Sequence, residues 1–214
     1  MNRILKRHPI LKAEWIRADG ARQVESRVYC DVRQRSVSVD TCRECLFCVA
    51  TEGKDVRCAP APELLPNAGP SAGAALCRGA VLVDEGALVG DVVSLFVEKK
   101  LRMLVVADDR GRAQGVVHES RLLRQIQDVT QAGPYPVRLG WDATAIEPAS
   151  SVTSAPPTVV ESVPLREALI RMATAHQRQL LVVDEQGFPI GLLSDVDALH
   201  GLRTTPADED EQSD

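Results

Sequence analysis

Residues 180–197 read LLVVDEQGFPIGLLSDVD: an apolar run, a charged turn with a glycine, a second apolar run and the start of a helix. Residues 103–121, MLVVADDRGRAQGVVHESR, follow the same order. Short apolar runs separated by a polar turn predict two strands joined by a hairpin. Because the pattern occurs twice, we predict that the second half of the chain contains two copies of one structural unit.

Each copy extends upstream of its hairpin. Leu88 to Val106 aligns with Leu165 to Val183 at a constant offset of 77 positions. In both copies an acidic or polar turn is followed by apolar residues at helical spacing, which predicts an amphipathic helix. Each copy therefore has the predicted order β-α-β-β-α, with helices on one side of a sheet. A unit of this size buries little surface alone, so we expect an α+β fold in which the two sheets pack together.

This arrangement resembles the cystathionine-β-synthase-type (CBS) domain, and two such domains in tandem resemble a Bateman module. The residues that carry the resemblance are Thr158–Val160, Leu165–Met172, Leu180–Asp184, Gly187 and Gly191–Asp197. It covers roughly residues 76–203 and implies two repeats packed as a pseudo-two-fold pair. It also implies regulatory binding of an adenosine-containing ligand in a cleft between the repeats.

Residues 191–197 match the family's binding motif, Gly-apolar-apolar-Ser/Thr-x-x-Asp. A carboxylate accepts hydrogen bonds from both ribose hydroxyls, and the amides at a helix start favour phosphate. The resemblance implies a site for an adenine nucleotide of the AMP, ATP or S-adenosylmethionine class. Its expected residues are Thr158, Val159, Val160, Ile190, Gly191, Ser194 and Asp197, with Arg121 of the first repeat reaching a phosphate. The alternative interpretation is that Ser194 only caps the helix.

The first repeat departs from this motif at both polar positions. His118 replaces the hydroxyl residue, and Arg121 replaces the aspartate. Arginine has only hydrogen-bond donors and cannot accept from ribose hydroxyls. We therefore predict one ribose site in the pair instead of two.

Five of the six cysteines lie in residues 28–58. A C-x2-C turn can place two thiolates on one metal, and a short polar segment gains stability from a metal. We predict tetrahedral Zn²⁺ bound by Cys30, Cys42, Cys45 and Cys58, with Cys48 as the alternative fourth ligand. An iron–sulfur cluster and metal-free thiols are the other interpretations. The sixth cysteine, Cys77, is expected to pack in the interior.

The remaining segments complete the predicted organisation. It comprises a charged segment 1–27, the cysteine-rich module 28–58, a flexible linker 59–75, the repeats 76–127 and 142–203, an inter-repeat linker 128–141 and an acidic tail 204–214. In the first segment, Ile10, Leu11 and Trp15 are candidate anchors for a short helix.

Composition narrows the function. The net charge of −5 argues against a general nucleic-acid binder, and aromatic residues at 3% require an aliphatic core. We expect no signal peptide and no membrane span, and hence a cytoplasmic protein with reduced thiols. The common enzyme motifs, such as a Gly-rich phosphate loop, are not found.

We predict a non-enzymatic regulatory protein that is a homodimer and relays nucleotide binding to a downstream protein. One alternative is a ligand-free dimerisation scaffold whose cysteine module contacts protein or nucleic acid. The other is a thiol or metal redox sensor.

Overall fold

The computed structural model describes residues 5–65, 69–124 and 144–203. The predicted inter-repeat linker 128–141 and acidic tail 204–214 lie outside the described residues. Short 3₁₀ turns cover Pro62–Leu64 and Ala149–Val152. Among the described residues, none of the helices has the length and apolar character needed to cross a bilayer.

The N-terminal part consists of six strands and one short helix. These are β1 Lys6–Pro9, β2 Leu11–Ile16, β3 Arg22–Cys30, β4 Arg35–Ser38, α1 Val39–Arg43, β5 Cys48–Glu52 and β6 Asp55–Cys58. We call residues 5–58 the N-terminal module. Strand β3 runs across the predicted boundary between residues 27 and 28.

The two repeats have the predicted order β-α-β-β-α. The first contains β7 Val81–Asp84, α2 Val89–Lys99, β8 Met103–Ala107, β9 Ala113–His118 and a helical stretch over 119–124. The second contains β10 Thr158–Val160, α3 Leu165–Thr174, β11 Gln179–Val183, β12 Pro189–Ser194 and α4 Asp195–Arg203. In each repeat the first two strands are parallel and the last two form an antiparallel hairpin. The prediction of an α+β repeat pair is confirmed.

The sheets of the two repeats face each other across an aliphatic layer. Its fully buried side chains include Val105 and Val116 of the first repeat and Leu181 of the second. Two further buried clusters lie between each sheet and its own helices. Burial of one such side chain stabilises the fold by about 1.5–3 kcal/mol, so the aliphatic sequence suffices for a core with few aromatic residues.

The expectation of a short helix near Trp15 is wrong, because residues 11–16 form strand β2. Strand β2 pairs in parallel with β7, and Trp15 lies opposite Leu82. The resulting six-stranded sheet has the order β4-β3-β2-β7-β8-β9. Backbone groups of β7 that would otherwise form an open sheet edge are thereby paired.

Part of the predicted flexible linker is packed against the second repeat. Ala72 is fully buried, and its N–H donates to the Val163 carbonyl at 2.8 Å. A Cβ added to Gly73 would lie 2.6 Å from the Tyr29 ring, so this segment fits tightly between the module and the repeat. The expectation of flexibility is wrong for residues 69–75.

Candidate functional site

The motif of the second repeat lies where strand β12 ends and helix α4 begins. The Asp197 N–H donates to Ser194 Oγ at 3.1 Å, and the Ser194 hydroxyl donates to Asp197 Oδ2 at 2.6 Å. The Ser194 N–H also faces Asp197 Oδ2 at 3.4 Å. This reciprocal pattern is that of a helix-capping box. The N-cap role predicted for Ser194 is therefore confirmed.

The hydrogen bonds of the helix cap use only part of the acceptor capacity of the Asp197 carboxylate. Both Asp197 and Ser194 are half-buried, so solvent reaches them. An ionised carboxylate offers about four acceptor positions on two oxygens, whereas only Oδ2 takes part in the bonds to Ser194. The Cys77 thiol is also hydrogen-bonded to this carboxylate. The geometry thus combines a fixed carboxylate with acceptor positions that a pair of ligand hydroxyls would share with Cys77.

The glycine of the motif is required by a close approach of the chain. Gly79, at the start of the first repeat, forms an isolated bridge with Gly191, and the Ala80 N–H donates to the Ile190 carbonyl at 3.2 Å. A Cβ on Gly191 would lie 2.4 Å from the Arg78 carbonyl oxygen. Residues 76–80 therefore cross directly beside the motif and join the two repeats there.

The predicted apolar wall is only partly accessible. Thr158 is exposed and Val160 is half-buried on strand β10. Val159 and Ile190 are each 1% exposed, and their side chains belong to the core of the second repeat. A ligand at this wall would contact Thr158, Val160 and the backbone, not the side chains of Val159 and Ile190.

The first-repeat residues His118 and Arg121, which replace the polar residues of the motif, differ in exposure. Arg121 is exposed on the helical stretch 119–124, and no hydrogen bond or ion pair among the described residues joins it to Ser194 or Asp197. Burial lowers the pKa of the half-buried His118 below its usual range, which favours the neutral imidazole. The contact of Arg121 with a ligand phosphate stays a prediction.

Cys77 is a neighbour of the motif that the sequence analysis missed. It is exposed instead of packed in the interior. Partial burial of its thiol and, next, the nearby Asp197 carboxylate raise the pKa of Cys77. No local signal could have shown this, because the fold alone brings residues 76–80 to helix α4.

The five cysteines of the N-terminal module gather around a small core. Cys42 is buried with Val28 and Val56, and Cys48 lies opposite Cys58 on strands β5 and β6. Burial and, next, the neighbouring cysteines raise the pKa of Cys42 to about 11 and that of Cys58 to about 12. These thiols are therefore protonated near neutral pH and pack as small apolar groups.

The predicted tetrahedral metal site is not formed in this arrangement. Within residues 5–65, 69–124 and 144–203, no group of three or more His, Cys, Asp or Glu side chains is placed to hold a metal ion. This applies to Cys30, Cys42, Cys45 and Cys58 and equally to the alternative with Cys48. Metal binding by these thiols would require loss of their protons, because the metal ligand is the thiolate.

Comparison with known proteins matches the repeats to a described family. A family model, the CBS domain, matches residues 74–128 and 149–204, together just over half of the chain. No curated protein matches the chain.

Solved structures share the fold of this region. The CBS domain of a CBS domain containing membrane protein from Sphaerobacter thermophilus is 23% identical; the match covers 62% of this chain and 87% of that one, with a TM-score of 0.52. The CBS-pair protein CBSX2 from Arabidopsis thaliana is 25% identical over 63% and 95% of the two chains, with a TM-score of 0.51. CBSX2 has also been solved in complex with AMP, at 28% identity over 57% and 86% of the chains and a TM-score of 0.46.

Proposed function

This chain belongs to the CBS domain family, and we propose that it is a non-enzymatic regulatory protein that binds an adenine nucleotide at its second repeat. CBS pairs are generally regulatory and not catalytic. The observation that carries the proposal is the half-buried Asp197 carboxylate, held at the start of helix α4 by Ser194. In our proposal, Asp197 accepts both ribose hydroxyls while Thr158 and Val160 contact the base.

The proposed site is single in each chain. The first repeat has His118 and Arg121 at the positions of the motif's hydroxyl and carboxylate. A neutral imidazole and a guanidinium cannot replace the carboxylate as an acceptor of two hydroxyls. The proposed stoichiometry is therefore one nucleotide per chain.

Isothermal titration with AMP, ATP and S-adenosylmethionine tests this site. The Asp197→Asn substitution keeps the shape of the side chain and one acceptor oxygen but removes the charge. We therefore expect the AMP affinity of the variant to be roughly ten- to a hundredfold lower than that of the wild type. The matched control is Asp195→Asn, which removes the same charge on the same helical turn, where Asp195 pairs with Arg178 at 2.9 Å. The control should bind AMP like the wild type.

The titration also separates the proposal from its first alternative. Equal binding by wild type and Asp197→Asn would contradict the ribose role. Heat from none of the three ligands would favour the alternative, a ligand-free scaffold whose cysteine module contacts protein or nucleic acid. We propose in addition that the protein is cytoplasmic, that it is a homodimer, and that it relays its ligand to a downstream protein.

The cysteines support a second candidate function, the binding of zinc or the sensing of redox state by the N-terminal module. Five cysteines lie within residues 30–58, and three of them contact one small core. Zinc would require these thiols to deprotonate and rearrange. Elemental analysis of anaerobically purified protein is expected to give one zinc per chain, lost in Cys42→Ser and retained in Cys77→Ser. Iron would indicate a cluster, and no metal in the wild type would leave only the thiol sensor.

A further inference from the structure

The N-terminal module contacts the two repeats at equivalent acidic residues. Asp84 is the last residue of β7, Glu161 directly follows β10, and the two are 77 positions apart. Asp84 accepts from the Trp15 indole N–H at 2.7 Å and from the Ala18 N–H at 2.9 Å. Glu161 Oε2 accepts from the Ser36 N–H at 2.7 Å. The N-terminal module is thus hydrogen-bonded to both repeats, and in each repeat the acceptor is the acidic residue at the equivalent position.

The contact with the second repeat is the more deeply buried of the two. Glu161 is only 3% exposed. A second link lies next to it, since the Arg27 guanidinium is 3.4 Å from the Asp184 carboxylate. The backbone hydrogen bond from Ser36 and the Arg27–Asp184 link are two separate contacts between the module and the second repeat. Strand β4, which carries Ser36, is therefore held on the second repeat.

In the first repeat the N-terminal module also covers the strand that is equivalent to the proposed ligand-contacting strand of the second repeat. At the offset of 77, residues 158–160 of the second repeat correspond to 81–83 of the first, which form the core of strand β7. Strand β2 pairs with all three of these residues. In the second repeat the corresponding strand β10 is the edge of its sheet. The N-terminal module thus covers the strand β7 of the first repeat, whereas the equivalent strand β10 of the second repeat has a free edge.

Glu161 directly follows strand β10. Its N–H donates to the Val183 carbonyl and its own carbonyl accepts from the Gly73 N–H, both at 2.9 Å, while its side chain holds β4. A displacement of residues 158–160 by a ligand would therefore reach Ser36 through a single residue.

We propose that the N-terminal module is a built-in regulator of the nucleotide site, with Glu161 as the positioning residue that couples them. The inference rests on the proposed function, because it names how that site is regulated. Nucleotide at the second repeat changes the docking of β4, and by linkage the docking of β4 changes nucleotide affinity by the same factor. The coupling is restricted to the second repeat, because strand β2 pairs with β7 and so covers the equivalent strand of the first repeat.

The test combines AMP titration with hydrogen exchange of residues 35–43, which span β4 and α1. In the wild type, AMP is expected to change exchange in this segment. Glu161→Ala should accelerate that exchange, shift the AMP dissociation constant at least about fivefold and abolish the effect of AMP on β4. Glu161→Gln retains an acceptor for the Ser36 amide and should restore wild-type coupling.

The control is Glu167→Ala on α3, where the exposed Glu167 pairs with Arg171 of the same helix. It should leave both readouts unchanged. AMP binding with no change in β4 exchange overturns this inference alone, as does failure of Glu161→Gln to restore coupling. A wild-type chain that binds no AMP overturns both the inference and the proposed function.

Discussion

At the scale of single residues, the most unusual group is the buried Glu161 carboxyl. Burial raises its pKa, and the neighbouring Asp184 adds to this, whereas the hydrogen bonds from Ser36 and the charge of Arg27 lower it. The net shift is upward. The folded protein therefore retains this proton at pH values where the unfolded chain has released it.

This shift predicts a specific pH dependence of stability. Because the folded state binds more protons, the free energy of unfolding should fall as pH rises from the unfolded pKa of about 4.3 through the folded pKa, and level off above it. Glu161→Gln should remove that slope, so its stability relative to the wild type should increase with pH. Urea denaturation between about pH 4 and 7 measures the difference. Glu167→Gln, at an exposed position, should leave the slope in place; a Glu161→Gln slope equal to that of the wild type would contradict the assignment.

At the scale of elements, the repeats were predictable because their signals are local. Strand β12, its cap Ser194 and the hairpin before it follow from apolar runs, a turn glycine and capping spacing. Strand β2 was not predictable, since its partners are remote: Trp15 donates to Asp84 and lies opposite Leu82. Six residues with one tryptophan carry little periodicity, and pairing with β7 decides their structure.

The same limit applies to the site. The contact between Ser194 and Asp197 was predictable because the two residues are three positions apart. That Val159 and Ile190 face the core instead of the ligand depends on which face of each strand is buried. The position of Cys77 depends on how residues 76–80 cross the second repeat, and no short motif encodes either fact.

Docking of β2 can be tested at Gly79. A Cβ there would lie 2.0 Å from the Lys12 carbonyl oxygen, so Gly79→Ala must displace β2 from β7. We expect the free energy of unfolding to drop by about 1–3 kcal/mol, as in other overpacked sites. Gly86→Ala is the matched control, because a Cβ there would meet no atom within 4 Å. Urea denaturation compares the two variants, and equal stability of both would argue against tight β2 packing.

At the scale of the whole molecule, the two faces of the repeat pair differ in character. The sheets meet in a buried aliphatic layer, whereas the helices carry exposed apolar side chains on the outside. Val97 on α2 is 75% exposed, Ile170 on α3 is 59% exposed and Leu199 on α4 is 57% exposed. Ile170 and Leu199 lie on two helices that contact each other, α3 and α4, and neighbouring exposed apolar side chains are typical of an association surface. This supports the proposal that two chains assemble through α3 and α4.

The expected outcome is a dimer that depends on this helical layer. Light scattering coupled to gel filtration should give twice the 23.2 kDa mass of one chain. The double variant Ile170→Asp, Leu199→Asp places two charges in the proposed contact and should give monomers, because an unpaired buried charge is strongly unfavourable. Val24→Asp on strand β3 starts from a similar exposure of 56% and should remain dimeric. A dimer that survives in the double variant but is lost in Val24→Asp would show that the interface lies on the N-terminal module and not on the helices.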